Sequence, residues 1–217
     1  MSTSASAMSI IGSNLVSFLP GISPAERSRT LDCLMFAELY AGTVHKRDKA
    51  WASWMGIYHQ MLPVTGFERT ATLNEGPTRV GNMSGFKRET DKMVARIASP
   101  ELAMAARRAL EAMGNSDHAQ QFFGSWFHFS SGRSESLQVV PCGLNNKGQI
   151  SIVVCGLQMI TRTRVRPLSK WPFKYEMALT MRGGSYFFQG DAYEINRERI
   201  EEELKRAGDA LIQPIHL

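Results

Sequence analysis

Two cysteines in the second half of the chain are the residues best suited to nucleophilic chemistry. Cys142 and Cys155 lie in the apolar runs VVPCGL and IVVCGLQ, and His128 lies one predicted strand earlier. A thiol activated by an imidazole is a nucleophile, so these residues leave open a cysteine-dependent hydrolase or a thiol that carries an acyl group. No glycine elbow flanks either cysteine, and a cysteine in an apolar run is usually a small buried hydrophobe. The pattern therefore favours buried thiols and indicates no catalytic residue.

A second group of residues is suited to binding. No acidic residue stands between Glu135 and Glu176, and within this stretch three arginines occupy alternate positions. On an extended strand, alternate side chains share one face. The predicted binding surface consists of these arginines and the basic and aromatic residues that follow them: Arg162, Arg164, Arg166, Lys170, Trp171 and Lys174.

This basic and aromatic surface suits two kinds of partner. An anionic membrane attracts arginines to its headgroups and accepts a tryptophan as an interfacial anchor. Single-stranded nucleic acid uses the same cations for its phosphates and the rings for base stacking. The fingerprints of RNA-recognition, helix-turn-helix and zinc-finger modules are absent, which favours a membrane or protein surface over nucleic acid. A solvated strand face with its aromatic rings in the core is the structural alternative.

Metal and cofactor sites are not indicated. The five histidines show no ligand spacing, and no glycine-rich loop with a following Lys-Ser or Lys-Thr opens a helix. Paired carboxylates for glycoside hydrolysis are missing from the strand region. We therefore expect no metal, no cofactor and no catalytic residue.

The composition describes an ordinary globular protein. The chain has 217 residues, 43% of them hydrophobic and 21% charged, which is enough apolar material for one core. Three cysteines are too few for a disulfide-stapled small domain and fit synthesis in a reducing cytosol. Neither a transmembrane helix nor a standard secretory signal is recognisable. Export without a signal peptide, or injection into another cell, stays open.

The elements that would position these residues fall into consecutive blocks. Residues 23–115 read mainly as helices, residues 121–190 as antiparallel strands, and residues 192–217 as a helix and a tail. Residues 1–22 form an apolar arm that either packs on the core or passes to a partner subunit or a membrane. This order predicts a single α+β domain in which N-terminal helices pack on a C-terminal antiparallel β-sheet with a final helix.

Several local signals place the ends of these elements. Ser23 and Glu26 form a capping box at the start of a helix, with proline at its first position. Asp48 is expected to cap a second helix. The turn sequence at residues 145–148, between two apolar runs, predicts a β-hairpin. The glycine pair at residues 183–184 is expected to form a second hairpin turn in the same manner.

The second helix carries the motif W-x2-W-x3-Y-x3-L-x3-G-F, formed by Trp51, Trp54, Tyr58, Leu62, Gly66 and Phe67. With the helix before it and a final helix that begins at Tyr193, this motif resembles a family of small uncharacterised bacterial and fungal proteins of similar length. The resemblance implies a similar architecture and no particular activity. In physical terms the same six residues are explained as the core of a helix followed by a turn.

The apolar arm, the basic and aromatic surface and the lack of an active-site pattern together indicate a non-enzymatic interaction protein. We expect a toxin-like or virulence-associated protein that self-associates as a homo-oligomer and engages a membrane or protein surface through residues 162–174. A single-stranded nucleic-acid-binding protein is one alternative. A cysteine-dependent hydrolase or acylated protein is the other.

Overall fold

Strands and helices are interleaved along the chain. The computed structural model describes residues 7–115, 134–161, 177–207 and 212–215. The elements within these ranges, in chain order, are β1 (Ala7–Ile11), β2 (Asn14–Phe18), α1 (Pro24–Val44), α2 (Trp51–Val64), β3 (Phe67–Val80), α3 (Met83–Ile97), α4 (Pro100–Asn115), β4 (Ser134–Leu144), β5 (Ile150–Thr161), β6 (Met177–Phe188), α5 (Gly190–Ala207) and β7 (Ile212–Ile215).

The described strands form one mixed sheet in the order β3-β6-β5-β4-β2-β1-β7. Every neighbouring pair is antiparallel except β2 and β4, which run parallel. The predicted fold class is therefore wrong in its arrangement. The sheet is not a C-terminal antiparallel block, because the N-terminal residues supply β1 and β2, and β3 lies between two helices of the predicted helical region.

Helices cover both faces of the sheet, so the protein has three layers. One apolar cluster joins α3 and α4 to one face, and a second joins α1, α2 and α5 to the other; we call these the α3/α4 face and the α1/α2 face. Strands buried on both faces read as nearly continuous apolar runs, because neither set of alternate side chains meets water. The run from Ile150 to Leu157 in β5 is of this kind.

The predicted N-terminal arm is part of the sheet. Its residues form the β1–β2 hairpin, which lies between β4 and β7. Ile11, Leu15 and Val16 are fully buried. Of the two alternatives for the arm, the structure shows packing on the core. The short strands were missed because serine and glycine interrupt an apolar sequence that has no clean period of two.

The signals at helix ends are confirmed in one case and wrong in another. Ser23 and Glu26 form the predicted capping box at the start of α1. The helix α2 begins after Ala50, which makes no side-chain capping bond, so Asp48 is not its cap. The buried face of α2 carries the motif residues Trp51, Trp54, Tyr58 and Leu62.

The two predicted hairpins also differ in outcome. Residues 145–148 join β4 to β5 as expected, with the Gly148 N–H donating to the Asn145 carbonyl oxygen at 2.9 Å. The glycine pair at residues 183–184 makes no turn, because β6 runs through it without a break. The second hairpin prediction is therefore wrong.

Candidate functional site

The predicted binding surface lies outside the described residues, as does His128. The strands that flank it in the sequence are described. Thr161, the last residue of β5, pairs with Met177, the first residue of β6. These two strand ends lie together at one end of the sheet, which we call the connection end.

A third strand begins at the connection end. Ser134, the first residue of β4, pairs with Ile160 of β5. The sequence just before β4 includes the aromatic-rich run QFFGSWFHF. The strand ends that flank this aromatic run and the basic segment in the sequence therefore lie at the same end of the sheet, which sequence spacing did not reveal.

The two predicted thiols are on opposite faces of the sheet. In the β4–β5 register, Cys142 pairs with Ile152 and Cys155 pairs with Val139. Cys142 belongs to the apolar cluster on the α1/α2 face, and Cys155 belongs to that on the α3/α4 face. The hairpin therefore does not bring the two sulfur atoms together.

Burial disfavours the thiolate form of the described cysteines. Cys33, Cys142 and Cys155 are fully buried free thiols. Desolvation raises the pKa of Cys33 and of Cys155 to about 12 and raises the pKa of Cys142 further. A thiol in this state is a poor nucleophile. Acylation of Cys142 or Cys155 stays a prediction.

Four adjacent strands form an antiparallel block of long strands, and its strands β4 and β5 are largely apolar on both faces. The strands β3, β6, β5 and β4 have 14, 12, 12 and 11 residues. In β5 the side chains of Ile152 and Val154 lie on the α1/α2 face, and those of Val153 and Leu157 lie on the α3/α4 face. The edge strand β3 is more polar, with most of its residues exposed or partly exposed.

A carboxylate from α1 fastens the β1–β2 turn to the α1/α2 layer. Glu38 accepts hydrogen bonds from the backbone N–H of Ser13, at 2.9 and 3.1 Å, and from the Ser13 hydroxyl at 3.0 Å. It also accepts from the Asn14 amide and pairs with Arg47 at 3.2 Å. The Tyr58 hydroxyl of α2 donates to the Asn14 side-chain oxygen at 2.9 Å. One buried network therefore joins two strands, α1 and α2.

Burial and hydrogen bonding have opposite effects on the pKa of Glu38. Burial raises the pKa of Glu38 above its ordinary value, although Arg47, Ser13 and Asn14 act in the opposite direction. The carboxylate is contacted by donors of Ser13 and Asn14 and by Arg47. Glu38 therefore joins the β1–β2 turn to α1. The sequence showed no signal for it, because residues 13 and 38 meet only in the tertiary structure.

Two arginines of the sheet hold α2 by its backbone. Arg69 of β3 donates to the His59 carbonyl oxygen at 2.7 Å, and Arg182 of β6 donates to the Ala52 carbonyl oxygen at 3.3 Å. The His59 ring stacks on Tyr186, with its Nδ1 hydrogen-bonded to the Tyr186 hydroxyl. Burial, together with Arg69 and Arg182, lowers the pKa of His59 to about 3. His59 is therefore a neutral core histidine.

The α3/α4 layer is held mainly by apolar contacts. Phe86, Val94, Leu102 and Leu110 of these helices pack on the sheet. Its polar contacts among the described residues include a long hydrogen bond of 3.5 Å from the Ser17 hydroxyl to the Ala105 carbonyl oxygen, an exposed ion pair between Arg96 and Glu75, and an ion pair between Arg107 of α4 and Asp91 of α3.

No protein-family model matches the sequence, and no curated protein is significantly similar to it. The fold is similar to that of the activated Cyt2Ba monomer from Bacillus thuringiensis subsp. israelensis. That structure aligns with a TM-score of 0.51 at 11% identity, over 81% of this chain and 96% of the other. At this identity the likeness shows the fold alone.

Two further solved structures are similar at lower scores. A delta-endotoxin aligns with a TM-score of 0.48 at 12% identity, over 82% of this chain and 84% of the other. The Evf virulence factor aligns with a TM-score of 0.44 at 9% identity, over 93% of this chain and 85% of the other. Within the described residues, no helix has the length and apolar character needed to cross a bilayer.

Proposed function

We propose that this protein is a toxin-like protein that binds membranes and acts on them without catalysis. The similarity of its fold to that of the activated Cyt2Ba monomer supports the class. The observation that carries the membrane proposal is the block of long antiparallel strands, whose strands β4 and β5 are largely buried on both faces beneath helices.

The strand lengths suit a bilayer. A tilted strand needs about 9–11 residues to cross the hydrocarbon core, and β4, β5 and β6 have 11, 12 and 12 residues. Removal of a helical layer would expose one apolar face of this block to lipid. The α3/α4 layer is the better candidate for removal, because its described contacts are mostly apolar and therefore exchange readily for contacts with lipid.

First contact with the membrane is assigned to the connection end. Arg162, Arg164 and Arg166 would pair with anionic headgroups, and Trp171 would sit at the interface. The aromatic segment 116–133 precedes β4 in the sequence, and β4 begins at the same end of the sheet. Self-association follows from the removal of a helical layer. The unpaired backbone groups of strand edges in a membrane need hydrogen-bond partners, and the strands of other copies of the chain supply them.

Vesicle binding and leakage test this proposal. We expect the protein to co-sediment at low salt with vesicles that contain phosphatidylserine and to release a trapped dye from them. The variant R162A/R164A/R166A is expected to lose most of this binding, because each basic residue near an anionic surface contributes about 1 kcal/mol. Binding should also weaken as salt is raised.

The matched control is K87A/R88A/K92A, which removes the same charge from α3. Arg88 and Lys92 are exposed, and within the described part of the chain their ion pairs are with Glu89, so this variant should bind as the wild type does. An equal loss of vesicle binding in both variants would mean that net charge alone explains the effect. A wild type that ignores the vesicles but shifts a single-stranded oligonucleotide in a salt-dependent manner would instead support the nucleic-acid interpretation.

A further inference from the structure

A polar cleft opens at the other end of the sheet from the connection end, on the α3/α4 face. Its volume is about 490 Å³, which lies within the range of small-molecule sites. The floor is formed by β3, β5 and β6, one wall by the β4–β5 turn, and the rim by the junction of α3 and α4. The helices end before they cover this part of the sheet.

Hydroxyl groups replace the apolar side chains on the floor of the cleft. Elsewhere on this face the strands present Leu, Val and Met, whereas here they present Thr70, Ser151 and Ser185. Ser185 is only 9% exposed, and its hydroxyl lies 2.7 Å from that of Thr70. The Ser151 hydroxyl donates to the Tyr186 carbonyl oxygen at 3.2 Å. Each hydroxyl therefore keeps hydrogen-bonding capacity for a ligand.

The wall and rim add amide groups and balanced charges. Asn145 is occupied within the turn, since its side-chain oxygen accepts from the backbone of Lys147 and Gln149. Asn146 has no hydrogen bond to the described part of the chain, and its amide offers both donors and acceptors. One carboxylate, Glu101, and one ammonium, Lys147, complete the charged lining. The formal charges cancel, which disfavours a phosphate or a metal cation as the ligand.

We propose that this cleft binds a neutral saccharide of one or two rings. Each sugar hydroxyl both donates and accepts hydrogen bonds, and the cleft supplies both kinds of group from hydroxyls, amides and a carboxylate. Phe187 is half-buried in the lining and offers an apolar ring surface to the C–H face of a sugar. The mixture of a few polar groups with apolar walls is typical of a small-molecule site.

This inference goes beyond the proposed membrane activity and is independent of it. The strand β5 runs from the cleft at Ile150 to the connection end at Thr161, a distance of roughly 35 Å at 3.3 Å per residue. Sugar binding in solution therefore requires no vesicle, and vesicle binding requires no sugar. Together the two sites would let the protein recognise a glycosylated surface and then engage its lipid.

Saturation-transfer difference NMR on the full chain tests the proposal. The probes are glucose, galactose, mannose, N-acetylglucosamine and lactose, each alone with the protein in buffer. We expect saturation transfer to at least one of them, with an affinity about tenfold weaker in S151A/S185A, because two hydrogen bonds to the ligand are lost. The variant S84A, which removes an exposed hydroxyl on α3 away from the cleft, should bind as the wild type does.

A second cleft variant covers the case in which S151A/S185A is poorly folded by circular dichroism. N146A alters only the exposed tip of the turn and should also weaken binding. The absence of saturation transfer to all five sugars would overturn the proposal. So would transfer that persists at wild-type strength in the folded cleft variants, because binding would then be located elsewhere.

Discussion

Individual side chains decide how firmly the helical layers are attached to the sheet. Glu38 is the clearest case, because its carboxylate accepts hydrogen bonds from two residues of the β1–β2 turn and pairs with Arg47. Without it, the backbone N–H of Ser13 would lose its acceptor in a buried site, whereas the Ser13 hydroxyl would keep the Gln138 side-chain oxygen as a partner. An unsatisfied buried donor is more costly than the net gain of the hydrogen bond it once made.

We therefore expect Glu38→Ala to lower the free energy of unfolding by about 2–4 kcal/mol. Urea denaturation followed by circular dichroism measures this as a lower midpoint. Glu202→Ala is the control, since the Glu202 side chain is 70% exposed and should change stability by no more than about 0.5 kcal/mol. Similar midpoints for the two variants would contradict the fastening role of Glu38.

His59 should give the protein a characteristic sensitivity to acid. Folding lowers the pKa of this histidine from 6.5 to about 3, so the neutral ring is the form that the folded state favours. Its contribution to stability is complete above pH 6.5 and is lost as the pH falls towards 3, by up to about 1.4 kcal/mol for each pH unit.

The predicted loss of stability in acid is tested by measuring the free energy of unfolding as a function of pH in the wild type and in His59→Gln. The amide can still bond to the Tyr186 hydroxyl but takes up no proton, so the variant should show a shallower loss between pH 6.5 and 3. Glu38 and Asp32, whose pKa values are raised by burial, are present in both proteins and cancel in the comparison. His45→Gln should retain the wild-type slope because it leaves His59 in place.

At the scale of elements, the glycine pair in β6 serves packing and not a turn. A Cβ at Gly183 would collide with the Val154 carbonyl oxygen of β5, and one at Gly184 would collide with the Ala71 carbonyl oxygen of β3 and press on the ring of Tyr186. The absent side chains let β5 and β6 approach and let the Tyr186 ring lie over the sheet against His59. In the sequence, a glycine pair between apolar runs resembles a hairpin turn. The sequence does not show that an adjacent strand and an aromatic ring pack against these two glycines.

Gly183→Ala should therefore lower the free energy of unfolding by about 1–3 kcal/mol, as overpacking of a close contact does. Gly76→Ala in β3 is the matched control, because a Cβ there meets nothing within 4 Å. Differential scanning calorimetry would show a lower melting temperature for the first variant and little change for the second. Equal melting temperatures would mean that β5 and β6 can separate without penalty.

At the scale of the whole molecule, the connection end and the cleft lie at opposite ends of one sheet. Residues 136–190 carry seven basic side chains and one acidic one, whereas residues 191–217 carry four and seven. Five of the seven basic residues fall in the sequence between β5 and β6, the two strands whose paired ends define the connection end. The cleft instead has one positive and one negative side chain in its lining. Charge would therefore direct the connection end to an anionic surface, whereas the cleft would bind its ligand through hydrogen bonds.

The sequence alone determined features that depend on neighbouring residues. The capping box at Ser23 and the turn at residues 145–148 could be read directly, because each is stabilised by contacts within a few residues. The buried face of α2 could be read because its large apolar residues recur at helical spacing. The apolar runs likewise indicated strands. The tertiary structure decided the mixed sheet, the place of β1 and β2 inside it, and the cleft.

The physical reason is that strand pairing joins residues far apart in the chain. Asn14 pairs with the region of Gln138 in a parallel ladder, and no local pattern favours that partner over others. A shift of one residue in register exchanges the two faces of a strand, so the separation of Cys142 from Cys155 was equally beyond local sequence. The partner of each strand is chosen by the packing of all three layers together, and that choice exists only in the folded protein.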